Sequence, residues 1–220
     1  MKKEIKIGSL DCHLCKNSEE RLVYILYPMN MLSGWIREAS VKYGVSIAVI
    51  TNMDWDDDLT PWPAPGAPKG SPPFKGEAQE FLKQLQTVVM PRIEREMEMT
   101  PRYRDLVGVS LSGLFTTWQW VICDTFMNIA SLSGSFWYEG FVEWFEENLK
   151  ARKPGKAYFS LGKREGLTHV PQFKPVVKDT ALVVEHIASL GITHEFQSVP
   201  GDHYQFPIDR LTLAFNYLYL

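Results

Sequence analysis

The segment Asp105-Leu106-Val107-Gly108-Val109-Ser110-Leu111-Ser112-Gly113-Leu114-Phe115 concentrates the chemistry of this chain. Its apolar run reads as a strand, Ser110 stands at a sharp turn, and an apolar helix follows from about Leu111. A serine on such a turn presents its hydroxyl clear of the backbone and can attack a carbonyl. The positions two before and two after it lie where strand and helix nearly touch, so they call for small residues. Gly108 meets that need; Ser112 stands where glycine is usual, which weakens the pattern without breaking it. The helix N-terminus turns backbone amides, that of Leu111 first, toward the place where a tetrahedral oxyanion would form. A Gly-x-Ser-x-Ser string alone is common by chance, and the strand before and helix after give it weight.

A nucleophile of this kind needs an acid and then a histidine further along the chain. Of five histidines, His13 precedes the serine, His186 falls within a helix, His194 opens a strand and His169 comes before the penultimate helix. His203, in Val199-Pro200-Gly201-Asp202-His203-Tyr204, directly follows the last strand, where a general base reaches the serine. For the acid, Glu165 in the loop after the penultimate strand is the candidate to hold the imidazole in one tautomer. The ordinary alternative for it is a solvated loop glutamate. Asp202 adjoins His203, and neighbouring side chains in an extended loop diverge; Asp179 lies well into the next helix.

Elements to carry these residues are legible around them. Short apolar runs alternate with helical patterns, the signature of an α/β protein with a mostly parallel sheet covered by helices on both faces. Strands are expected at 4–7 (weak), 22–26, 45–50, 105–109, 128–132, 157–161 and 195–199. Helices are expected at 33–43, closed by Gly44, at 77–97 with a kink at Pro91, and at 139–149, 174–190 and 207–218. Residues 51–76 hold six prolines with Trp55 and Trp62. Loops this long are usually functional, so the stretch reads either as a wall over a site or as a crossover pinned by its tryptophans.

At 220 residues the chain suits a single domain spanning 1–220. Hydrophobic residues at 45% and charged residues at 22% exclude wholesale disorder, and a formal charge of −3 leaves no basic footprint for nucleic acid. The basic run around Lys150 and Lys156 reads as a solvated loop. No apolar stretch reaches membrane-spanning length and the opening Met1-Lys2-Lys3 is not a secretory leader, so a cytoplasmic protein is expected. Three cysteines argue against a disulfide framework. Cys12-His13-Leu14-Cys15 is a CxxC, but a polar stretch leads from it into a strand, and zinc would need two more ligands; incidental thiols are the better reading. No nucleotide-binding glycine fingerprint is present, and no cofactor or metal is called for.

Taken together, these motifs resemble the esterase group of α/β-hydrolases that includes the enterochelin-esterase-like and esterase-D-like proteins. The resemblance rests on the run from Gly108 to Phe115, on Asp58-Leu59-Thr60-Pro61, on Ser131-Leu132-Ser133-Gly134-Ser135-Phe136-Trp137-Tyr138, and on the loops holding Glu165 and His203. It spans about residues 20–218. It implies an α/β-hydrolase fold, from which the chain departs in having its N-terminal strands before Leu22 reduced, and a serine carboxylic-ester hydrolase acting on a small, siderophore or sugar acyl ester. It also implies a second oxyanion amide at Met29, with Asn30 as the weaker choice, in the unusual segment Tyr27-Pro28-Met29-Asn30. Trp137 and loop aromatics such as Trp62 would line the substrate pocket. The partner implied is the small ester itself, without nucleic acid or membrane; a homo-oligomer stays open. Acyltransferases and thioesterases share the same elbow, and a binding protein that keeps the fold without the chemistry is the remaining rival.

Overall fold

The computed structural model describes residues 2–28, 32–151 and 154–220. Eight strands form one sheet: β1 (Lys2–Ile7), β2 (Leu10–Cys15), β3 (Arg21–Leu26), β4 (Ser46–Thr51), β5 (Tyr103–Val109), β6 (Ile129–Leu132), β7 (Lys156–Gly162) and β8 (Thr193–Val199). Their order is β1-β2-β4-β3-β5-β6-β7-β8, with β1 and β2 antiparallel and every pairing from β4 to β8 parallel. Alternation along each strand divides the core. Leu22, Tyr24 and Leu26 of β3 face one apolar cluster, and Val23 and Ile25 face the other.

Among the described residues, seven α-helices cover the two faces. Helices α1 (Ser33–Tyr43) and α7 (Pro207–Tyr219) pack on one side, around Phe215 and Trp35. On the other side lie α2 (Ala78–Gln84), α3 (Met90–Glu96), α4 (Leu111–Ile122), α5 (Phe141–Asn148) and α6 (Val176–Ser189). Gly44 closes α1 in the left-handed region at φ 64°, as expected from its place after Tyr43. The expected break at Pro91 is an insertion rather than a simple kink. A π-helical turn, Leu85–Val89, joins α2 to α3 and ends just before the proline, whose missing N–H could not have extended a regular helix.

The N-terminal strands are not reduced, which corrects the sequence expectation. β1 and β2 form a hairpin that pairs with β4 and completes the sheet. The alternating charges of β1 suit an exposed edge, and the polar letters of β2 conceal that Leu10, Cys12, Leu14 and Cys15 are all buried. The same strand period explains the CxxC. Cys12 faces one core and Cys15 the other, so the two thiols lie on opposite faces of the sheet and cannot bridge or share a metal.

From β3 the chain goes to β4 on one side, and the connection after β4 crosses back past β3 to β5 on its other side, so the strand order reverses at β3. The crevice beyond the carboxyl ends of β3 and β5 is where open α/β sheets bind ligands. Ser110 follows β5 there. Among the described residues, no helix is long and apolar enough to cross a membrane.

Candidate active site

Ser110 joins β5 to α4 at φ 57° and ψ −123°, a conformation that costs a non-glycine residue about 1–3 kcal/mol. Its surroundings hold it there. Its N–H donates to the Leu132 carbonyl at 3.0 Å, and its own carbonyl accepts from Ser135 N at 3.1 Å and Leu114 N at 3.0 Å. At Gly108 a Cβ would lie 2.1 Å from the Ser112 carbonyl oxygen, so no larger residue fits. Leu111 begins the helix, and its amide has no intrahelical acceptor.

Ser112 has a use that glycine could not supply. Its buried hydroxyl accepts from Val109 N–H at 2.7 Å and shares its proton between the carbonyls of Leu26 and Val109, each 2.8 Å away. It thereby ties the elbow to the end of β3, from which the 27–31 segment departs. Met29 and Asn30, the expected second oxyanion donors, lie outside the described residues.

The structure brings Ser110, His203 and Glu165 into one hydrogen-bonded chain. His203 Nε2 is 3.1 Å from Ser110 Oγ, and His203 Nδ1 is 3.0 Å from Glu165 Oε2. The carboxylate holds the imidazole proton on Nδ1 and leaves Nε2 free to accept from the serine. Ser135 Oγ stands 3.3 Å from Ser110 Oγ.

Glu165 opens a short 3-10 turn after β7 and is buried. Its Oε1 accepts from Gly162 N–H at 2.6 Å, Ser133 Oγ at 2.6 Å and Arg210 Nη1 at 2.9 Å. Burial by itself would raise its pKa. The hydrogen bonds from His203, Ser133 and Gly162, with the charge of a protonated His203, outweigh that and hold the carboxyl below the usual glutamate value. The other two acids stand elsewhere. Asp202 Oδ1 accepts from Tyr204 N–H at 3.1 Å, and Asp179 lies on α6.

Arg210 and Ser133 escaped the sequence reading. Arg210 also donates to Ser133 Oγ and, through Nη2, to the Asp202 carbonyl, so one guanidinium spans the acid and the histidine loop. A signal was present: Arg210 precedes Ala214 and Leu218 at helical spacing, which puts it on the buried face of α7.

Two cavities meet at Ser110 and His203, of about 450 and 480 Å³, and both are also walled by Trp55 and Tyr204. Trp137 lines the first, its ring 4.5 Å from that of Phe173. Trp62 lines neither. Its indole donates to the Glu139 carbonyl at 2.9 Å and packs on Tyr138 and Trp144, and its carbonyl accepts from the Tyr138 hydroxyl. The 51–76 stretch is therefore both things considered for it: Trp55, Asp56, Ala67 and Phe74 form a wall, and Trp62 is an anchor.

No family model matches the sequence. The uncharacterized protein YbbA of Bacillus subtilis (strain 168) is 30% identical over 144 residues, taking in 63% of this chain and 57% of YbbA. Solved structures align over the whole chain. An IroE-like serine hydrolase from Shewanella oneidensis matches with a TM-score of 0.80 at 17% identity, over 100% of this chain and 79% of its own. The BES protein from Bacillus cereus gives 0.77 at 20% identity, over 100% and 96%. The siderophore hydrolase EstA from Aspergillus nidulans gives 0.73 at 16% identity, over 100% and 93%. The chain thus has the α/β-hydrolase fold, which it shares with these solved structures.

Proposed function

We propose that the protein is a serine carboxylic-ester hydrolase working through an acyl-enzyme. The observation that carries this is the chain Ser110 Oγ, His203, Glu165, set on a strained elbow where two cavities meet. Ser110 Oγ attacks the ester carbonyl as His203 Nε2 takes its proton. The tetrahedral oxyanion forms against the Leu111 amide, with Met29 as the expected second donor; one such donor is typically worth about 3–4 kcal/mol. His203 then protonates the departing alcohol, and a water activated by the same imidazole releases the acid.

The names of the neighbours support the substrate class. They include serine hydrolases and siderophore hydrolases, which favours a small or siderophore-like acyl ester over a peptide.

Labelling with a fluorophosphonate, followed by peptide mapping, tests the proposal. A single adduct on Ser110, absent from Ser110→Ala, together with turnover of a short-chain aryl ester, is the expected result. A folded protein that takes no label while a control hydrolase does would transfer the case to a binding protein. Product carried onto an added alcohol in preference to water would make it an acyltransferase.

A further inference from the structure

The two cavities differ in charge. Among the described residues no lysine or arginine lines the first, though His169 does, and its one carboxylate outside the Ser110–His203–Glu165 chain is Asp56, in a lining shared with Trp55, Trp137 and Phe173. Neighbouring anions are already spoken for. Asp57 accepts from Lys75 N–H at 2.9 Å and pairs with the Lys75 ammonium, while Asp58 Oδ2 accepts from Asp54 N–H at 2.9 Å. Among the described residues no cation pairs with Asp56, which stays open to solvent on one side; partial burial together with the charges of Asp54 and Asp57 pushes its carboxyl above the usual aspartate value. A cation placed against it would relieve that repulsion.

In the second cavity the walls are mostly apolar, with Tyr27, Pro28, Val109, Leu132 and Pro207 joined by the polar Gln205. Among the described residues its one charged group besides the His203 imidazole, Arg210, is committed to Glu165, Ser133 and the Asp202 carbonyl.

We infer that the first cavity takes an alkylammonium group, so that the substrate is an ester with one cationic half, held by Asp56 and the surrounding aromatic faces, and one neutral apolar half in the second cavity. Aromatic faces attract a cation through their quadrupole, and an ammonium carrying alkyl groups gives up little hydration on entering such a site. This inference rests on the ester-hydrolase reading for its chemistry, but the cavity can be tested without it.

Two matched pairs differ only in a quaternary nitrogen against a quaternary carbon. With the charge on the alcohol side, acetylthiocholine is compared with S-(3,3-dimethylbutyl) thioacetate. With the charge on the acyl side, the p-nitrophenyl ester of 4-(trimethylammonio)butanoic acid is compared with that of 5,5-dimethylhexanoic acid. The cationic member of one pair is expected to have a kcat/KM about tenfold higher. Asp56→Asn should bring that ratio down severalfold, and raised salt should do the same. Equal values within both pairs, or a preference that Asp56→Asn leaves intact, overturns the inference.

Binding is read separately by tryptophan fluorescence in Ser110→Ala, titrated with choline and with 3,3-dimethylbutan-1-ol. Saturable binding of choline alone, weakened by adding Asp56→Asn, supports the cavity even if no ester is cleaved. Ester cleavage with no choline binding and no charge preference keeps the hydrolase and removes its cationic substrate.

Discussion

Arg210 Nη1 lies 2.9 Å from Glu165 Oε1, and both side chains are almost fully withdrawn from solvent. The acid beside His203 is thus itself held by a buried cation, and the same guanidinium grips the Asp202 carbonyl next to the histidine. Breaking such a pair costs about 3–5 kcal/mol, because the partner is left buried and uncompensated. Arg210→Met should therefore lower stability by that order in urea unfolding and lower kcat at least tenfold with little change in KM. Arg210→Lys keeps the charge but cannot reach both loops at once, so it should recover stability more than kcat. Wild-type kcat in Arg210→Met would leave the arginine a purely structural role.

Glu165 carries a pH signature. Its carboxyl is held below the usual glutamate value in the folded protein. A depressed carboxyl contributes stability that is fully present above the unfolded pKa of about 4.3 and is lost as pH falls through the folded pKa. Wild type should therefore exceed Glu165→Gln in stability at about pH 5. That margin should shrink steadily below about pH 4. Chemical denaturation at several pH values reads it directly. At pH 8 the same variant should lose roughly 10³–10⁴-fold in kcat, since glutamine no longer selects the tautomer that leaves Nε2 unprotonated. A margin that widened on acidification below about pH 4 would reverse the assignment.

Those two residues also mark how far the sequence could be read. Ser110, His203 and Glu165 were legible because each sits just past the carboxyl end of a strand, and strand ends are marked by apolar runs giving way to glycine. The 33–43 helix and its Gly44 stop were legible for the same reason: local chemistry fixes them. Arg210 was not, because an arginine becomes a buried clamp only once β7, β8 and α7 have converged on it. β2 was missed because Asp11 and His13 interrupt a strand whose buried positions fall on both faces, and its pairing with β4 bridges some forty residues. Trp62 and Trp55 look alike in sequence, and only the folded loop separates anchor from wall.

Ser112 yields a prediction opposite to the one its departure from glycine invites. Restoring the usual residue should harm the protein. Ser112→Gly removes the acceptor of Val109 N–H and the donor to Leu26, and buried groups left unpaired cost about 1–3 kcal/mol. Glycine inside the first turn of α4 adds about 1 kcal/mol of helix penalty relative to alanine. Ser112→Ala should lose only the first of these contributions, so the order of thermal midpoints is wild type, then alanine, then glycine. Both variants should also lose kcat severalfold, as the elbow comes untied from the end of β3. A glycine variant as stable as wild type would show that the hydroxyl bridge contributes nothing.

Substituting the tryptophans separates anchoring from substrate contact. Trp62 packs on Tyr138 and Trp144 and lines no part of either cavity, whereas Trp137 faces the first cavity against Phe173. Truncating a well-packed tryptophan costs about 3–5 kcal/mol, and a half-buried one falls at the low end of that range. Trp62→Ala should therefore lower the unfolding midpoint clearly, while its folded fraction hydrolyses small esters with a near-normal KM. Trp137→Ala should lose stability to a similar degree, since it is equally half-buried and packs on Phe74, Tyr138 and Phe173, but it alone should also show a KM raised severalfold for esters whose larger half enters the first cavity. Both variants are assayed at 20 °C after their folded fractions have been set by circular dichroism, so that instability is not counted as lost affinity. A raised KM in Trp62→Ala with an unchanged midpoint would make the 51–76 stretch a wall along its whole length, and the division between anchor and wall would fall.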